Sequence, residues 1–392
     1  MRILMIHNKY AARSGEEVQF DAIAQLLAER GHEVSLYTKS SEGILHSAAG
    51  KMVAFFTGVW NPRSRLDIRT LLRGDRKPDI AFIQNLYPLI SPTILPLFRQ
   101  EGIPVVMRVA NYRLMCPNGL HLSHGSVCER CLGGKEYWCL LRNCEENFSK
   151  SAGYALRNAA ARIMGWYKKN VTEYITASSF LRNRMLAAGY AAARIHIIPN
   201  VVPDVERREI KGSRDYVAYV GRISREKGID ILTAAAAQCP EIPFRLAGGI
   251  NPSFRFSAAL PQNVEMVGLL GKQPLSEFFA GARLVASCSQ CFETFGMSVA
   301  EAMLHGKPVI ASRIGVFPEF VQEGITGILA EAGNADDLAR KIRALWKQPE
   351  LCAAMGIAGR QHALREYSAD RYYERIMAVF MKAAQNRFEA QS

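Results

Sequence analysis

The chain is poor in negative charge. It holds 36 Asp and Glu against 49 Lys and Arg, a formal charge of +13 over 392 residues. That imbalance excludes an acidic, self-solvating chain and points to an anionic partner: nucleic acid, an acidic membrane face or a phosphate-bearing substrate. The chain also lacks a hydrophobic run able to cross a bilayer. Its longest charge-free stretch, residues 80–98, contains Gln84, Asn85, Pro88, Pro92 and Pro96, and prolines at that density break a spanning helix. There is no tandem repeat and no low-complexity segment. No recognisable nucleic-acid module occurs, and the aromatics do not interleave with the basic runs, so no nucleic-acid partner is expected. The opening MRILMIHNKY reads as a short strand running into polar residues, without the cleavage site of a secretory leader. A cytoplasmic chain is therefore expected.

What is present is a regular alternation. An apolar content of 49% can fill two cores, and the length suits two domains. RILMIHN, HEVSLYT, PDIAFIQ, IPVVMRVA, EYITAS and RIHIIP read as buried strands. EEVQFDAIAQLLAERG reads as an amphipathic helix stopping at Gly31. Residues 199–213 change character, with two prolines, many charges and Gly-Ser, and read as a linker, placed in its tightest form at 201–212. The alternation restarts with YVAYVG, FRLAGG, VEMVG, ARLVAS, KPVIAS and TGILAE, and residues 335–392 read as helical. Two α/β domains are expected, 1–200 and 213–365, with a last helical stretch, 366–392. Ligands of such sheets bind beyond the carboxyl ends of the strands.

Two stretches there carry chemistry. In GRISREKG (221–228), Gly221 lets the chain turn sharply, and Arg222 and Lys227 sit on the loop before a helix. Two cations and a helix N-terminus suit a diphosphate, although a solvated basic loop would look the same in isolation. In ETFGMSVAE (293–301), Glu293 falls on the loop after a strand and Glu301 about one turn into the next helix. A carboxylate is a good acceptor for two vicinal hydroxyls, and a glycine lets the main chain approach a ligand closely.

These stretches, with FRLAGG (244–249), VEMVGLLG (264–271) and ETFGMSVAEAMLHGKPVIAS (293–312), resemble the retaining glycosyltransferases of the GT-B group, family four (glycosyl transferases group 1). The resemblance covers nearly the whole chain. It implies two Rossmann-like domains facing across a crevice, with the last helix crossing back to the first domain, and transfer of a sugar from a nucleotide-diphosphate sugar to a glycan or lipid-linked acceptor. It implies that Gly221, Arg222 and Lys227 hold the donor diphosphate, and that Glu301 binds the ribose hydroxyls. Glu293 would face the donor sugar, Phe295 and Gly296 would bring main chain to sugar and phosphate, and Gly268 would line the base pocket. Glu293, Arg222 and Lys227 are then the catalytic set. Arg13-Ser-Gly-Glu-Glu17 resembles the family's glycine-rich loop, with Ser14 in place of one glycine. Gly15, Glu16, Asn111, Tyr112 and Arg113 would form the acceptor side. YPLISPTILPLF (87–98) and NYRLMCPNGL (111–120) suggest a surface-polysaccharide branch. No Asp-x-Asp triplet occurs, which argues against the metal-dependent single-domain transferases, and no cofactor is expected for catalysis. The family's usual histidine is Ala110 here, and a second common histidine position is Gln84. That departure keeps open a non-catalytic relative that binds nucleotide sugar.

A cysteine-rich insert, 111–150, is the other local signal. Cys116, Cys128, Cys131, Cys139 and Cys144 follow C-x11-C-x2-C-x7-C-x4-C. Cys128, Cys131, Cys139 and Cys144 could hold a structural zinc, with His121 and His124 as alternative ligands, or could be free thiols. Cys116 is assigned to the strand-end loop, and Cys288 and Cys291 read as packing residues. Residues 155–170 read as one basic helix. Together with residues 52–60 and the cations Arg63, Arg65, Arg69, Arg73, Arg76 and Lys77, it could form a patch on an anionic membrane surface, placing the protein peripherally on the inner face, or be a core-facing helix with a solvated side.

Overall fold

A computed structural model describes residues 1–10, 14–42, 48–74, 76–202 and 215–389. Arg13 and most of the expected linker lie outside the described residues. The chain divides into two compact units. The first comprises residues 1–123, 128–201 and the C-terminal segment from 369; the second comprises 202–368 with residues 124–127.

In the first unit the strands are β1 (Arg2–Lys9), β2 (Glu33–Ser40), β3 (Ile80–Asn85), β4 (Val105–Val109), β7 (Glu173–Thr176) and β8 (Ile195–Ile197), with the two-residue strand β5 (Leu122–Ser123) in the insert; the insert's other short strand, β6 (Ser126–Val127), falls among the residues grouped with the second unit. The six long strands form one sheet in the order β2-β1-β3-β4-β7-β8, every pair parallel. The second unit repeats the plan with β9 (Val217–Val220), β10 (Phe244–Ala247), β11 (Val264–Gly268), β12 (Leu284–Ser287), β13 (Val309–Ser312) and β14 (Gly327–Ala330). Its order is β11-β10-β9-β12-β13-β14, again parallel throughout. All twelve runs read as strands are strands, but the edge strand β2 is not buried as its sequence suggested: its residues are exposed or half-buried throughout. Continuous apolar runs rather than alternating ones are what a parallel sheet buried on both faces requires. Both units are Rossmann-like, and the protein is α/β.

The strand order locates the ligand crevice of the second unit. The chain winds outward from β9 through β10 to β11, then returns to the other side of β9 with β12. The order reverses between β9 and β12, and the loops leaving their carboxyl ends diverge there. Those two loops are GRISREKG and the segment leading to Glu293.

Helices cover the sheets. Ser14 caps α1 (Gly15–Glu29) with a full capping box: its side chain accepts from the Glu16 amide, and Glu17 reaches back to the Ser14 amide at 2.7 Å. The residue that replaces a loop glycine thus starts the helix. The helical stretch after 335 is three helices, α13 (Ala335–Trp346), α14 (Pro349–Tyr367) and α15 (Ala369–Glu389). The last one packs on the first unit. Tyr372, Ile376, Val379, Phe380 and Ala383, spaced as one helix face, join Ile3, Met5, Phe20 and Phe82 in a single core.

The basic stretch 155–170 is not one helix. It is α6 (Phe148–Ile163) and α7 (Trp166–Asn170), interrupted by Gly165 at φ +66°. A left-handed glycine cannot continue an α-helix. The break also changes the faces: Arg157, Trp166 and Tyr167 are buried, while Ile163 and Met164 are exposed.

Phe380 is fully buried and meets Phe82 edge-on at 5.7 Å between ring centroids. Phe380→Ala should therefore cost about 3–5 kcal/mol and lower the unfolding midpoint of the first unit in a denaturant titration. A midpoint equal to wild type would mean that α15 does not stabilise this core.

Candidate functional site

The second unit's site is built where β9 and β12 end. Gly221, at φ +155°, leaves β9, and a side chain there would press on the Tyr219 hydroxyl. Gly228, at φ +73°, ends the loop against β12: a Cβ on it would lie 1.8 Å from the Cys288 carbonyl oxygen. Only glycine permits that approach, and it brings Lys227 to the residues after β12. A second tie runs from the Gln290 amide to the Glu226 carbonyl at 2.9 Å.

Lys227 Nζ donates to Glu293 Oε1, and Ser289 Oγ donates to the same oxygen at 2.7 Å. Burial opposes ionisation of Glu293, but the Lys227 charge and the two hydrogen bonds outweigh it and hold the carboxyl below the usual range. Burial likewise opposes the charge on Lys227, and Glu293 reverses the outcome, raising the lysine. Arg222 is more exposed and pairs with Glu226 at 2.9 Å. Both cations expected to meet a diphosphate therefore have carboxylate partners. The Ser224 hydroxyl, in the same loop, is buried without a hydrogen-bond partner.

After Glu293 the chain turns through Phe295 and Gly296 into α11 (Met297–Leu304). Phe295 is buried against Phe320 and Tyr367 and anchors the turn from below. Gly296 sits at φ +82°, where a Cβ would lie 2.7 Å from the Phe317 ring, and no side chain caps the helix it starts. Its positive end is thus available to an anion. Glu301 lies one turn in. Among the described residues its carboxyl has neither a hydrogen bond nor an ion pair, and burial raises its pKa to about 7. Gly268, at φ +75°, ends β11 with no atom within 4 Å of where a Cβ would stand.

The residues expected on the acceptor side belong to the first unit and only partly come together. Glu16 accepts from Asn111 Nδ2 at 3.0 Å and from the Tyr10 hydroxyl at 3.3 Å. Arg113 stacks over the Tyr10 ring, 5.2 Å from its centroid. Gly15 is exposed at the start of α1. Tyr112 does not join them: it is a core residue, 1% exposed, packed edge-on against His121. Ala110 lines a small cavity of about 20 Å³ shared with Gln84, Asn85, Asn111 and Arg113. Gln84 serves the framework: it accepts from Arg108 and donates to the Glu16 carbonyl, both at 2.7 Å. Arg108 is itself buried and satisfied by amide oxygens, with Asn200 as its second acceptor at 2.6 Å.

All nine cysteines are free thiols. In the insert, Cys131, Cys139 and Cys144 pack together around Ala155. Burial and the nearby sulfurs of Cys116, Cys144 and Cys128 push Cys131 up to about 12. Cys116 lies near this cluster as well as in its loop, where it donates to Asn118 at 2.9 Å. Among the described residues no group of three or more His, Cys, Asp and Glu side chains is placed to hold a metal ion. Cys288 and Cys291 are buried packing residues.

Four residues that matter were not singled out from the sequence. Glu226 is a spacing-four partner of Arg222 and was open to detection. Ser224, Ser289 and Gly228 act through contacts that only the folded loops create.

Residues 203–362 match the family described as Glycosyl transferases group 1, and residues 13–206 the family Glycosyltransferase Family 4. The chain is similar to a D-inositol 3-phosphate glycosyltransferase of Mycolicibacterium paratuberculosis, 32% identical over 213 residues, which is 49% of this chain and 48% of the relative. It is also similar to an uncharacterised 42.6 kDa protein in the cps region of Klebsiella pneumoniae, 24% identical, covering 81% of this chain and 87% of that one. Several curated relatives are matched over half their length or less. Among solved structures, Anabaena HepE in complex with UDP and glucose superposes with a TM-score of 0.68 at 18% identity, covering 97% of this chain and 100% of that one. At that identity the likeness is one of fold.

The unpaired carboxyl of Glu301 has a consequence of known sign. Its folded pKa is raised from 4.5 to about 7, so the folded state binds this proton more tightly than the unfolded state does. Stability should fall as pH rises from about 4.5 towards 7 and level off above. Glu301→Gln should remove that component, so the variant gains on wild type in thermal midpoint between pH 5 and pH 8. A constant difference between the two across that range would show that Glu301 ionises normally.

Proposed function

We propose that this chain, which carries a glycosyltransferase family 4 domain followed by a glycosyl transferases group 1 domain, moves a sugar from a nucleotide-diphosphate donor to a glycan or lipid-linked acceptor, with retention at the anomeric carbon. The observation that carries the reading is the arrangement at the end of β9 and β12: the Lys227–Glu293 pair beside the uncapped α11 and the unpaired Glu301. UDP bound to a protein of the same fold, HepE, supports a nucleotide donor.

Each group has a role in this scheme. Glu301 accepts from two vicinal ribose hydroxyls, a geometry that suits one carboxylate with two oxygens. Donation from hydroxyls favours the ionised form, so binding lowers the Glu301 pKa and is strongest above pH 7. Arg222 and Lys227 face the diphosphate with the α11 terminus. As the bond from the anomeric carbon to the diphosphate breaks, negative charge grows on the leaving oxygen, and Lys227 meets it. The acceptor hydroxyl attacks from the same face, and its proton passes to the departing diphosphate. Glu293 holds the donor sugar's hydroxyls, and its charge favours the developing positive carbon. The protein acts by positioning and by fixed charge, so this route needs no imidazole at position 110.

The acceptor belongs to the first unit, in a surface-polysaccharide pathway. There Phe56, Trp60, Leu156 and Ile163 are exposed on α2 (Ala48–Val59), its following residue and α6. These two helices touch at Phe55 and Gly153. Exposed aromatics, with Arg65 over the Trp60 ring at 5.0 Å, suit a membrane interface carrying a lipid-linked acceptor. Phe56→Ser with Trp60→Ser should then abolish sedimentation with anionic liposomes, and failure of wild type to sediment at low salt would remove the membrane part of the proposal.

The nucleotide part is tested directly. A screen of nucleotide diphosphates should raise the thermal midpoint, and Glu301→Ala should weaken the best of them about ten- to a hundredfold, as expected for roughly 1.5–3 kcal/mol from hydrogen bonds to a charged group. Lys227→Ala should lower kcat more than it raises KM, because the charge it meets is largest in the transition state. Tight nucleotide binding with no transfer from any common donor would identify a binding relative in place of an enzyme.

A further inference from the structure

The first unit contains a second group of cations, which shares Arg113 with the Glu16 and Asn111 cluster and is not used in the sugar transfer described above. It is a cavity of about 40 Å³ between the cysteine-rich insert and the helices α6 and α7. Three cations line it, Arg113, Arg162 and Lys168, against one carboxylate, Glu136. Glu136 is already taken, since Arg162 grips both its oxygens at 2.7 and 3.1 Å. Lys168 spends one donor on the Ala188 carbonyl at 3.0 Å and lies over the Tyr190 ring. Arg113 donates to Asn85 Oδ1 at 3.4 Å, stacks on the Tyr10 ring and lies within reach of the Glu16 charge. Over the lining, positive charge exceeds negative charge, and Arg162 and Lys168 are open to solvent, so an anion can reach them.

The cations are placed by the backbone. Each stands against a glycine whose φ is positive. A Cβ on Gly119 (φ +79°) would lie 2.7 Å from Arg113 Cγ. One on Gly134 (φ +88°) would lie 2.9 Å from the Arg162 guanidinium, and one on Gly189 (φ +77°) 3.1 Å from Lys168 Nζ. Three separate turns, two of them in or beside the insert, thus leave room for three basic side chains to converge. A water occupies about 10–15 Å³ on this measure, so the cavity takes about three or four waters. That is the size of a phosphoryl group and less than a sugar ring. Arginine fits phosphate by paired donors and lysine by point charge.

We propose that this cavity binds a phosphoryl group of the acceptor, so that the substrate of the first unit is a phosphate-bearing molecule. The inference rests on the reading that this unit receives the acceptor, and it names the acceptor's chemical class. The phosphoryl group can come from a lipid-linked diphosphate or from a soluble sugar phosphate. The insert then serves the cavity. Gly134 and Glu136 hold Arg162 in place, and the buried thiols brace the turn that carries them.

The test uses the full chain in an Arg222→Gln, Lys227→Ala background, which removes both cations of the second unit's diphosphate site. Inorganic diphosphate is titrated by calorimetry into that protein and into versions that add Arg162→Gln with Lys168→Gln, or Lys169→Gln alone. Lys169 is exposed and does not line the cavity. The expected result is a saturable site weakened at least tenfold by the Arg162/Lys168 pair and unchanged by Lys169→Gln. No binding, or equal weakening by both changes, would overturn the proposal, the latter because it marks diffuse charge attraction. Both altered cations are solvent-facing, so folding is not at stake. Glucose 6-phosphate and phosphatidylcholine vesicles doped with a polyprenyl diphosphate then identify the source. Binding of either supports the site, and binding of neither overturns it. UDP binding by the unmodified protein is scored separately: its loss defeats the donor reading and leaves the cavity result standing.

Discussion

Lys227 and Glu293 reach one another from two different strand ends, and the rest of the second unit's site depends on that meeting. Each is largely withdrawn from water, and each would be expensive alone. Removing one partner of such a pair commonly costs about 3–5 kcal/mol, because the other charge is left unpaired. The pair exists because Gly228 lets the loop after β9 touch the Cys288 carbonyl at the end of β12. Ser289 completes the carboxylate's shell, and Phe295, seated on Phe320 and Tyr367, fixes the turn that follows. The reversal of strand order between β9 and β12 is what makes those loops diverge, so topology, glycine and ion pair act as one constraint.

Glu301 is treated in the opposite way. It is half-buried and, among the described residues, without a hydrogen-bond or ion-pair partner, so its carboxyl resists ionisation until something donates to it. One glutamate is thus held charged by the protein and the other is left to be completed by a ligand. Two carboxylates eight residues apart acquire different roles from their surroundings, as environments that push pKa values apart generally allow. The same division recurs in the first unit, where buried Arg108 is satisfied by neutral amides while the cations around the insert cavity outnumber their carboxylate.

Much of this architecture was legible in the sequence, for physical reasons that also mark where legibility ended. Twelve strands could be read because a parallel sheet buries both faces and leaves an unbroken apolar run. Glu293, Glu301, Arg222 and Lys227 were singled out because their stretches resemble those of a known family, and the structure brings Lys227 and Glu293 together. The break at Gly165 could not, since an isolated glycine inside a helical pattern is usually tolerated. Tyr112 was misplaced on the acceptor side because its loop position gives no sign of which way the ring packs. The pairing of Arg162 with Gly134 and of Lys168 with Gly189 joins separate segments of the chain, and local pattern holds no trace of it. The cysteine spacing suggested a zinc knuckle; in the folded loops Cys131, Cys139 and Cys144 gather around Ala155, an arrangement that spacing alone does not reveal.

Lys227 and Glu293 are expected to act as a unit when nucleotide diphosphate arrives. A double-mutant cycle on UDP affinity, measured by calorimetry for wild type, Lys227→Met, Glu293→Gln and the combined variant, tests that directly. The predicted result is strong non-additivity, with a coupling of at least about 1 kcal/mol between the two changes. Effects that add to within about 0.3–0.5 kcal/mol would show that the two side chains act independently and would contradict this view of the site.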